Sequence, residues 1–178
     1  MSKKAATPAA SSVNETMSMS AEARARMRRR ERDVYNYYDD MGPGKGNCTW
    51  GPGILAHKGP CTKEELTRPV SKAAVEAEFS RQVAIAEAGV RRKVRQQKLN
   101  QDQFDALVSL TYNAGVQGSR HTYELIDRGQ LSEAAANISS MTSTTVNGRK
   151  VVARGLISRR AEEAAPFRMA DTSAMTNK

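Results

Sequence analysis

Apolar residues recur every three or four positions between residues 72 and 98, and this period predicts a long amphipathic helix with one buried stripe. Ser71 stands directly before the helix as a suitable N-cap. A short helix should precede it, started by a capping box of Thr62 and Glu65 and ended by Pro69. We expect the long helix to connect two lobes, and its stripe consists of Val75, Phe79, Val83, Ala86, Val90 and Val94.

A second helix with a clear apolar face is predicted at 101–115. Asn100 and Gln103 form a capping box at its start, and Gly115 is well placed as its C-terminal stop. The face that this pattern predicts to be buried consists of Phe104, Leu107, Val108, Leu110 and Thr111.

Weaker patterns follow this helix. The dipeptide Asn147-Gly148 predicts a two-residue turn between two runs of β-branched residues. A last helix should end at Pro166, because proline breaks the helical hydrogen-bond ladder. The helices expected in this part of the chain are 120–128, 131–141 and 155–165.

The chain before residue 72 has a different character. A helix should begin after Ser20, but it is rich in arginine and poor in apolar residues, so only a narrow face is expected to pack. Residues 38–62 then hold many of the glycines, half of the prolines and the only tryptophan, Trp50. Glycine at this density predicts turns with positive φ, and we expect a small, irregular β-hairpin lobe.

Both ends of the chain are polar and lack an apolar period, so residues 1–19 and 169–178 are predicted to be disordered tails. One folded domain of the α+β class would then occupy 20–168. Within it, the β lobe at 38–62 precedes the connecting helix at 72–98 and a mainly helical lobe at 99–168.

The net charge of +9 predicts a polyanionic partner, either nucleic acid or the carboxylates and phosphates of a cell envelope. A surface with surplus Lys and Arg and no such partner would have the same charge. No apolar run approaches the roughly 20 residues that span a bilayer, so no stable membrane insertion is expected. Lys3 and Lys4 are not followed by the apolar stretch of a secretory signal, and synthesis in the cytoplasm without a signal peptide is therefore expected.

Two carboxylates flank the start of the glycine-rich segment. Glycoside hydrolysis needs one protonated and one ionised carboxyl group, on opposite sides of the bond that breaks. Glu31 lies near a predicted helix end and Asp40 at the start of the β lobe. On spacing alone, however, such a Glu and Asp are ordinary surface residues, and the motifs around them carry more information.

The stretch from Glu31 to Gly53 resembles the active-site segment of phage-type lysozymes, glycoside hydrolase family 24. That family has a Glu, then a Tyr, an Asp and a Thr-x-Gly-x-Gly strand. Residues 99–115 resemble its central helix, and 147–167 resemble its Asn-Gly segment and Gly-Leu-x-x-Arg-Arg helix. The matching active-site residues here are Glu31, Tyr38, Asp40 and Thr49-Trp50-Gly51-Pro52-Gly53.

This resemblance implies a two-lobed, lysozyme-like fold and hydrolysis of peptidoglycan, at the β-1,4 bond between N-acetylmuramic acid and N-acetylglucosamine, without a cofactor. It implies Glu31 as general acid, and Asp40 as the base that orients or activates water with the help of Thr49. The family inverts the anomeric centre, so the two carboxyl groups should be roughly 6.5–9.5 Å apart.

The chain departs from the family pattern in three places. The insertion GPGKGNC lengthens the segment between Asp40 and Thr49, by about three residues, so Asp39 is a rival for the base. Ile54 stands where a His is common, and His57 follows three positions later. Met141 stands where a Trp is common, which changes the expected core packing.

The resemblance also implies residues that contact substrate or the catalytic acid. Gly53, Asn137 and Arg160 are the candidate substrate contacts. Arg159 or Arg160 matches the family arginine that pairs with the catalytic Glu. The alternatives are an exposed helix asparagine at 137 and arginines in ordinary surface ion pairs.

Cys48 and Cys61 flank a segment rich in Gly and Pro, as the two ends of a loop-closing disulfide do. Two free thiols in a reducing compartment would give the same sequence. An oxidising compartment, where the cell wall lies, favours the disulfide. No second Cys or His pair stands at ligand spacing, so no metal site is expected here.

Several alternatives remain at this point. A lytic transglycosylase cuts the same bond with one Glu and no water, and the candidate Asp and Thr argue against it. A non-catalytic basic binding protein is favoured only by the arginine-rich helix at 24–32, and no nucleic-acid motif accompanies it. We expect a monomeric, bacteriolytic peptidoglycan hydrolase that acts in the periplasm, released through a holin pore as a phage endolysin or carried by a secretion machine as a bacterial effector.

Overall fold

The computed structural model describes residues 11–31, 34–146 and 149–175. These residues pack as two units. One is Ala21–Ile85, and the other comprises the described residues before Ala21 and after Ile85. The boundary falls within a single long helix, and each unit is described by itself.

The described residues form seven helices and five strands, so the α+β class predicted from the sequence is confirmed. Among these residues, no helix combines the length and the apolar character needed to cross a membrane. The helices are α1 (Ala21–Arg30), α2 (Lys63–Thr67), α3 (Lys72–Lys93), α4 (Gln101–Gly118), α5 (Arg120–Asp127), α6 (Leu131–Ser140) and α7 (Arg154–Met175). The strands are β1 (Tyr37–Asp39), β2 (Cys48–Trp50), β3 (Ile54–His57), β4 (Ser143–Val146) and β5 (Arg149–Val152).

The unit Ala21–Ile85 contains a three-stranded antiparallel sheet in the order β1-β2-β3. Tyr38 pairs with Thr49, and the register between β2 and β3 shifts at Cys48 and Thr49. Helix α1 packs its narrow apolar face as expected, with Ala23 and Met27 buried. The guanidinium groups of two of its arginines lie over the ring of Phe79 on α3, at 5.0 Å from the ring centroid for Arg24 and 5.7 Å for Arg28.

The other unit has the apolar core that the helical periodicity predicts. The side chains of the face predicted for α4 are all buried, and Asn100 and Gln103 form the predicted capping box. Gly115 has φ +75° and interrupts the helix, which resumes as far as Gly118. The predicted stripe of α3 is likewise buried, both before Ile85 and after it, at no more than 2% exposure for each side chain. Side-chain periodicity was sufficient for these helices because it reports burial on one face.

The prediction of a disordered tail over 1–19 is wrong for residues 11–19, while residues 1–10 lie outside the described part of the chain. Asn14 is fully buried, and its amide donates to the carbonyls of Val94 (3.0 Å) and Gln97 (2.9 Å). The side-chain oxygen of Asn14 accepts the N–H of Leu99. The segment is ordered because it satisfies backbone groups of the connection between α3 and α4, residues 94–99, that no helix satisfies. The long helix accordingly ends at Lys93 and not near residue 98.

The predicted helix end at Pro166, with a disordered tail from residue 169, is also wrong. Helix α7 continues through Pro166 to Met175, and residues 176–178 lie outside the described part. Ala164 and Phe167, on either side of the proline, are fully buried. Packing on both sides thus outweighs the hydrogen bond that the proline removes. Asn147-Gly148 lies outside the described residues, but β4 and β5 on either side of it pair antiparallel, with Val146 opposite Arg149.

Candidate active site

Glu31 directly follows α1 in the unit Ala21–Ile85. Its backbone N–H donates to the carbonyl of Arg28 (3.2 Å), and the residue is partly buried. Arg28 lies three positions before Glu31 in the sequence. The Nε of Arg28 donates to Glu76 (2.8 Å) and its guanidinium lies over Phe79, so this cation is bound to α3.

The two neighbouring aspartates, Asp39 and Asp40, have different partners. One oxygen of Asp39 accepts the backbone N–H of Cys61 (2.7 Å), and the other accepts the N–H of Gly44 (2.6 Å). Asp39 is thus bound to two separate loop segments. Asp40 is exposed, and among the described residues both of its carboxylate oxygens contact Asn47. Of the two, Asp40 is the carboxylate that faces solvent.

Thr49 lies in the middle of β2 and is 4% exposed. Its hydroxyl donates to the carbonyl oxygen of Asn47 (3.3 Å). The same carbonyl accepts the backbone N–H of Asp40 (3.1 Å). The structure therefore brings Asp40 and Thr49 together through one residue, Asn47, which the sequence patterns did not single out.

Cys48 and Cys61 form a disulfide, which joins β2 to the segment before α2. The backbone N–H of Cys48 also donates to the carbonyl of Gly59 (2.7 Å). Within the described residues, Cys48, His57 and Glu65 are the one group of three or more such side chains whose potential metal-ligand atoms all lie within 4.8 Å of one another. Because the sulfur of Cys48 is in the disulfide, it is not a thiolate ligand.

His57, the histidine closest to the family's usual position, binds Glu65 instead of a catalytic group. Its Nε2 lies 3.1 Å from Oε1 of Glu65. Hydrogen bonds to the carbonyl of Lys58 and to Glu65 raise the pKa of His57 above its ordinary value. Hydrogen bonds lower the pKa of Glu65 to about 2: the one from the backbone N–H of Thr62 has the largest effect, and the one from His57 has the next largest. The pair stabilises the start of α2, where the predicted capping box of Thr62 and Glu65 is confirmed.

The remaining predicted substrate contacts belong to both units. Gly53, in the unit Ala21–Ile85, is exposed with φ +100°. Asn137 and Arg160 belong to the other unit. The side-chain oxygen of Asn137 accepts the hydroxyl of Thr122 (2.8 Å), which fixes its amide and leaves the residue partly exposed.

Arg160 is only 2% exposed, and this burial argues against the direct sugar contact expected of it. Its guanidinium donates to the carbonyl of Met141 (3.0 Å), to Glu163 and to Asn113. Arg159 also donates to Glu163 (3.0 Å). An open cavity of about 660 Å³ lies on this part of the unit, with Asn113, Met141, Lys150 and Arg160 among its lining residues. Arg160 therefore supports the wall of a cavity by an internal ion pair.

Comparison with known proteins identifies the family. The family model described as phage lysozyme matches residues 30–163, more than half of the chain. The chain belongs to the phage lysozyme family. Its members are glycoside hydrolases, and the chain is accordingly a peptidoglycan hydrolase with a lysozyme-like fold. No curated protein matches the sequence at a significant level.

Solved structures agree with phage lysozyme membership. The muramidase domain of SpmX from Asticaccaulis excentricus is 25% identical with a TM-score of 0.64, over 84% of this chain and 96% of that one. The endolysin from Escherichia coli O157:H7 phage FAHEc1 is also 25% identical, with a TM-score of 0.66 over 85% and 94% of the two chains. A P22 lysozyme is 20% identical over 85% of this chain and 99% of its own, and its TM-score of 0.60 shows the shared fold.

Proposed function

We propose that this chain hydrolyses the β-1,4 bond between N-acetylmuramic acid and N-acetylglucosamine, with inversion at the anomeric carbon. The observation that carries the proposal is the link between Asp40 and Thr49 through the carbonyl of Asn47. It brings the backbone N–H of Asp40 and the hydroxyl of Thr49 to one carbonyl oxygen, and the Asp40 carboxylate and the Thr49 hydroxyl are two groups that together can hold one water. Glu31, in the same unit, supplies the second carboxyl group that the reaction needs.

In this mechanism Glu31 donates its proton to the leaving glycosidic oxygen as the bond to the anomeric carbon breaks. A water held by Asp40 and Thr49 attacks the opposite face of that carbon and forms the new bond to oxygen. Asp40 takes the proton that this water loses. The exposure of Asp40 supports this role, because the group that activates water must reach it.

The partners of Asp39 support a structural role for that residue. Both of its oxygens accept backbone N–H groups, from Gly44 and from Cys61, and hold two loop segments together. A carboxylate that orders backbone in this way is costly to redirect toward a substrate. Gly53 and Asn137 remain the proposed substrate contacts, and Arg160 is proposed to support the wall of the cavity in its own unit.

The assignment is tested with purified peptidoglycan and the variants Glu31→Gln, Asp40→Asn and Asp39→Asn, the last as the matched control. We expect Glu31→Gln and Asp40→Asn to lose about 10²- to 10⁴-fold in rate, the usual contribution of a proton-transfer group. Asp39→Asn keeps one oxygen acceptor and should retain more activity than Asp40→Asn. Full activity in Glu31→Gln contradicts the proposed acid, and the reverse order of the two Asp variants makes Asp39 the base.

Product analysis tests the reaction type. Mass spectrometry of the fragments should show reducing ends, whereas 1,6-anhydro ends would identify a lytic transglycosylase. NMR of freshly released ends should show the α anomer first, because inversion converts the β linkage into α. An initial β anomer contradicts inversion.

The proposed setting is the periplasm, where the enzyme acts on the cell wall as a monomer and lyses the cell. The disulfide supports this setting, since such bonds persist in oxidising compartments. Holin-dependent release and delivery by a secretion machine are both consistent with it. The positive net charge favours approach to the anionic envelope.

A further inference from the structure

The loop between β1 and β2 closes directly on Asp40. The backbone N–H of Asn47 donates to Oδ1 of Asp40 (2.8 Å). The side-chain Nδ2 of Asn47 lies 3.3 Å from Oδ2 of the same carboxylate. The N–H of Asp40 in turn donates to the carbonyl of Asn47 (3.1 Å). One residue thus contacts both oxygens and the backbone of Asp40.

The orientation of the Asn47 amide is defined from its other side. Its Oδ1 accepts the backbone N–H of Gly59 (3.3 Å). Because an amide has its acceptor and its donors at opposite atoms, this contact turns the NH₂ group toward Asp40. The hydroxyl of Thr49 donates to the carbonyl of Asn47, so Asn47 binds both proposed water-holding residues.

Gly46, the neighbour of Asn47, leaves room for the carboxylate. A Cβ built at Gly46 would lie 2.0 Å from Oδ1 of Asp40, far inside any contact distance. Gly44 in the same loop has a similar positive φ, +70° against +78° for Gly46. A Cβ at Gly44, however, meets nothing within 4 Å. The same Cβ at Gly46 would also lie 2.8 Å from Cγ and 2.9 Å from Cβ of Met41, the residue after Asp40. The absence of a side chain at Gly46 therefore leaves room for the Asp40 carboxylate and for Met41.

We propose that Gly46 and Asn47 form a cradle that positions Asp40 and Thr49 for the attacking water, with Asn47 as a positioning residue. This inference rests on the proposed role of Asp40 as the base. The cradle acts through Asp40, so its loss should slow the chemical step without weakening substrate binding. Displacement of a reacting group by about 1 Å costs on the order of 10²-fold in rate.

The two glycines offer a matched test. Gly46→Ala and Gly44→Ala introduce the same strain of a positive φ, but only Gly46→Ala pushes against the Asp40 carboxylate and the neighbouring Met41. We expect Gly46→Ala and Asn47→Ala to lower kcat by about 10- to 100-fold with KM within about twofold. Gly44→Ala should stay within about threefold of the parent in kcat. Asn36→Ala, which removes one exposed amide contact in the same unit, is the control for Asn47→Ala.

A second readout separates positioning from a general effect on stability. Asn47→Asp keeps the size of the side chain but places a carboxylate where the NH₂ donor faced Asp40. A like charge there opposes ionisation, so the acidic limb of the kcat/KM profile should move to higher pH. The neighbouring Asp39 is present in parent and variant alike and does not cause a difference. Thermal unfolding and thiol titration confirm that each variant is folded with its disulfide intact.

The outcomes of these measurements test the cradle and the proposed base separately. Equal kcat losses in Gly44→Ala and Gly46→Ala, parental kcat in Asn47→Ala, or an unmoved acidic limb in Asn47→Asp would overturn the cradle. Should Gly46→Ala fail to fold, the two Asn47 variants decide alone. Asp40→Asn is measured alongside: full activity in that variant means that the proposed base is wrong, whereas an inactive Asp40→Asn with a normal Asn47→Ala contradicts only the cradle.

Discussion

The interactions that stabilise the segment 34–70 internally differ from those that stabilise the segment 99–167. In 34–70 the buried residues are Cys48, Thr49 and Gly51, and the strands have only three or four residues each. In 99–167, by contrast, apolar side chains from α4, α5, α6 and α7 are fully buried, among them Phe104, Leu107, Ile126, Ile138 and Phe167.

This difference shows where stability and chemistry reside. Apolar burial contributes about 25 cal/mol per Å² and is largely insensitive to pH and redox state, so 99–167 should be robust to both. The segment 34–70 carries the proposed base but has little apolar area to bury. Its order depends on the Cys48–Cys61 disulfide, on hydrogen bonds to Asp39 and Asp40, and on the ion pair of His57 and Glu65. Such interactions respond to pH, salt or redox conditions.

The largest effect is expected from the helical core. Phe104→Ala removes a fully buried ring and should lower the free energy of unfolding by about 3–5 kcal/mol. Leu55→Ala in β3, where the side chain is 55% exposed, should cost less than about 0.5 kcal/mol. Urea titration followed by far-UV circular dichroism measures both. Similar losses in the two variants would contradict the contrast between the segments.

Removal of the disulfide should come next, at about 3 kcal/mol for a loop of this length. The double variant Cys48→Ser/Cys61→Ser should lose activity and lose structure first around Trp50, the only tryptophan, which lies in β2 beside Thr49. Trp50 fluorescence reports this segment, and circular dichroism reports the helices. We expect the fluorescence transition to move to lower urea than the circular dichroism transition, and two coincident transitions would show that the segments do not differ in this way.

The smallest effect is expected from His57 and Glu65. The raised pKa of His57 means that its contribution to stability is complete below pH 6.5 and is lost as the pH rises through the folded-state pKa. The lowered pKa of Glu65 means that its contribution to stability is complete above pH 4.5 and is lost as the pH falls toward about 2. The pair should therefore stabilise this segment most between pH 4.5 and 6.5.

The variant His57→Gln should remove this dependence. The Trp50 midpoint in urea, measured for parent and variant across pH, should differ most inside that window and converge outside it. His121→Gln, a change of the chain's other histidine in α5, is the control and should leave the Trp50 midpoint unchanged. A parent and a His57→Gln variant with parallel pH curves would rule out this role of the ion pair.

The sequence by itself determined the helices whose order is local. Side chains three and four positions apart share a helix face whatever surrounds the helix, so the stripes of α3 and α4 were predictable. The capping boxes at Thr62 and Asn100 were predictable for the same reason, because cap and partner lie three residues apart. The motifs around Glu31 and Asp40 identified the family in the same local way.

Only the tertiary structure decided the contacts that join distant residues. Asn14 orders an N-terminal segment by binding Val94, Gln97 and Leu99, about eighty positions away. The polar residues that flank Asn14 in the sequence predicted disorder, and these distant contacts made that prediction wrong. Pro166 stays within α7 because its neighbours are buried. The difference between Asp39 and Asp40 likewise depends on which backbone N–H groups the folded loop brings to each carboxylate. A one-dimensional pattern records residue types, whereas these roles depend on the atoms that meet only after the chain has folded.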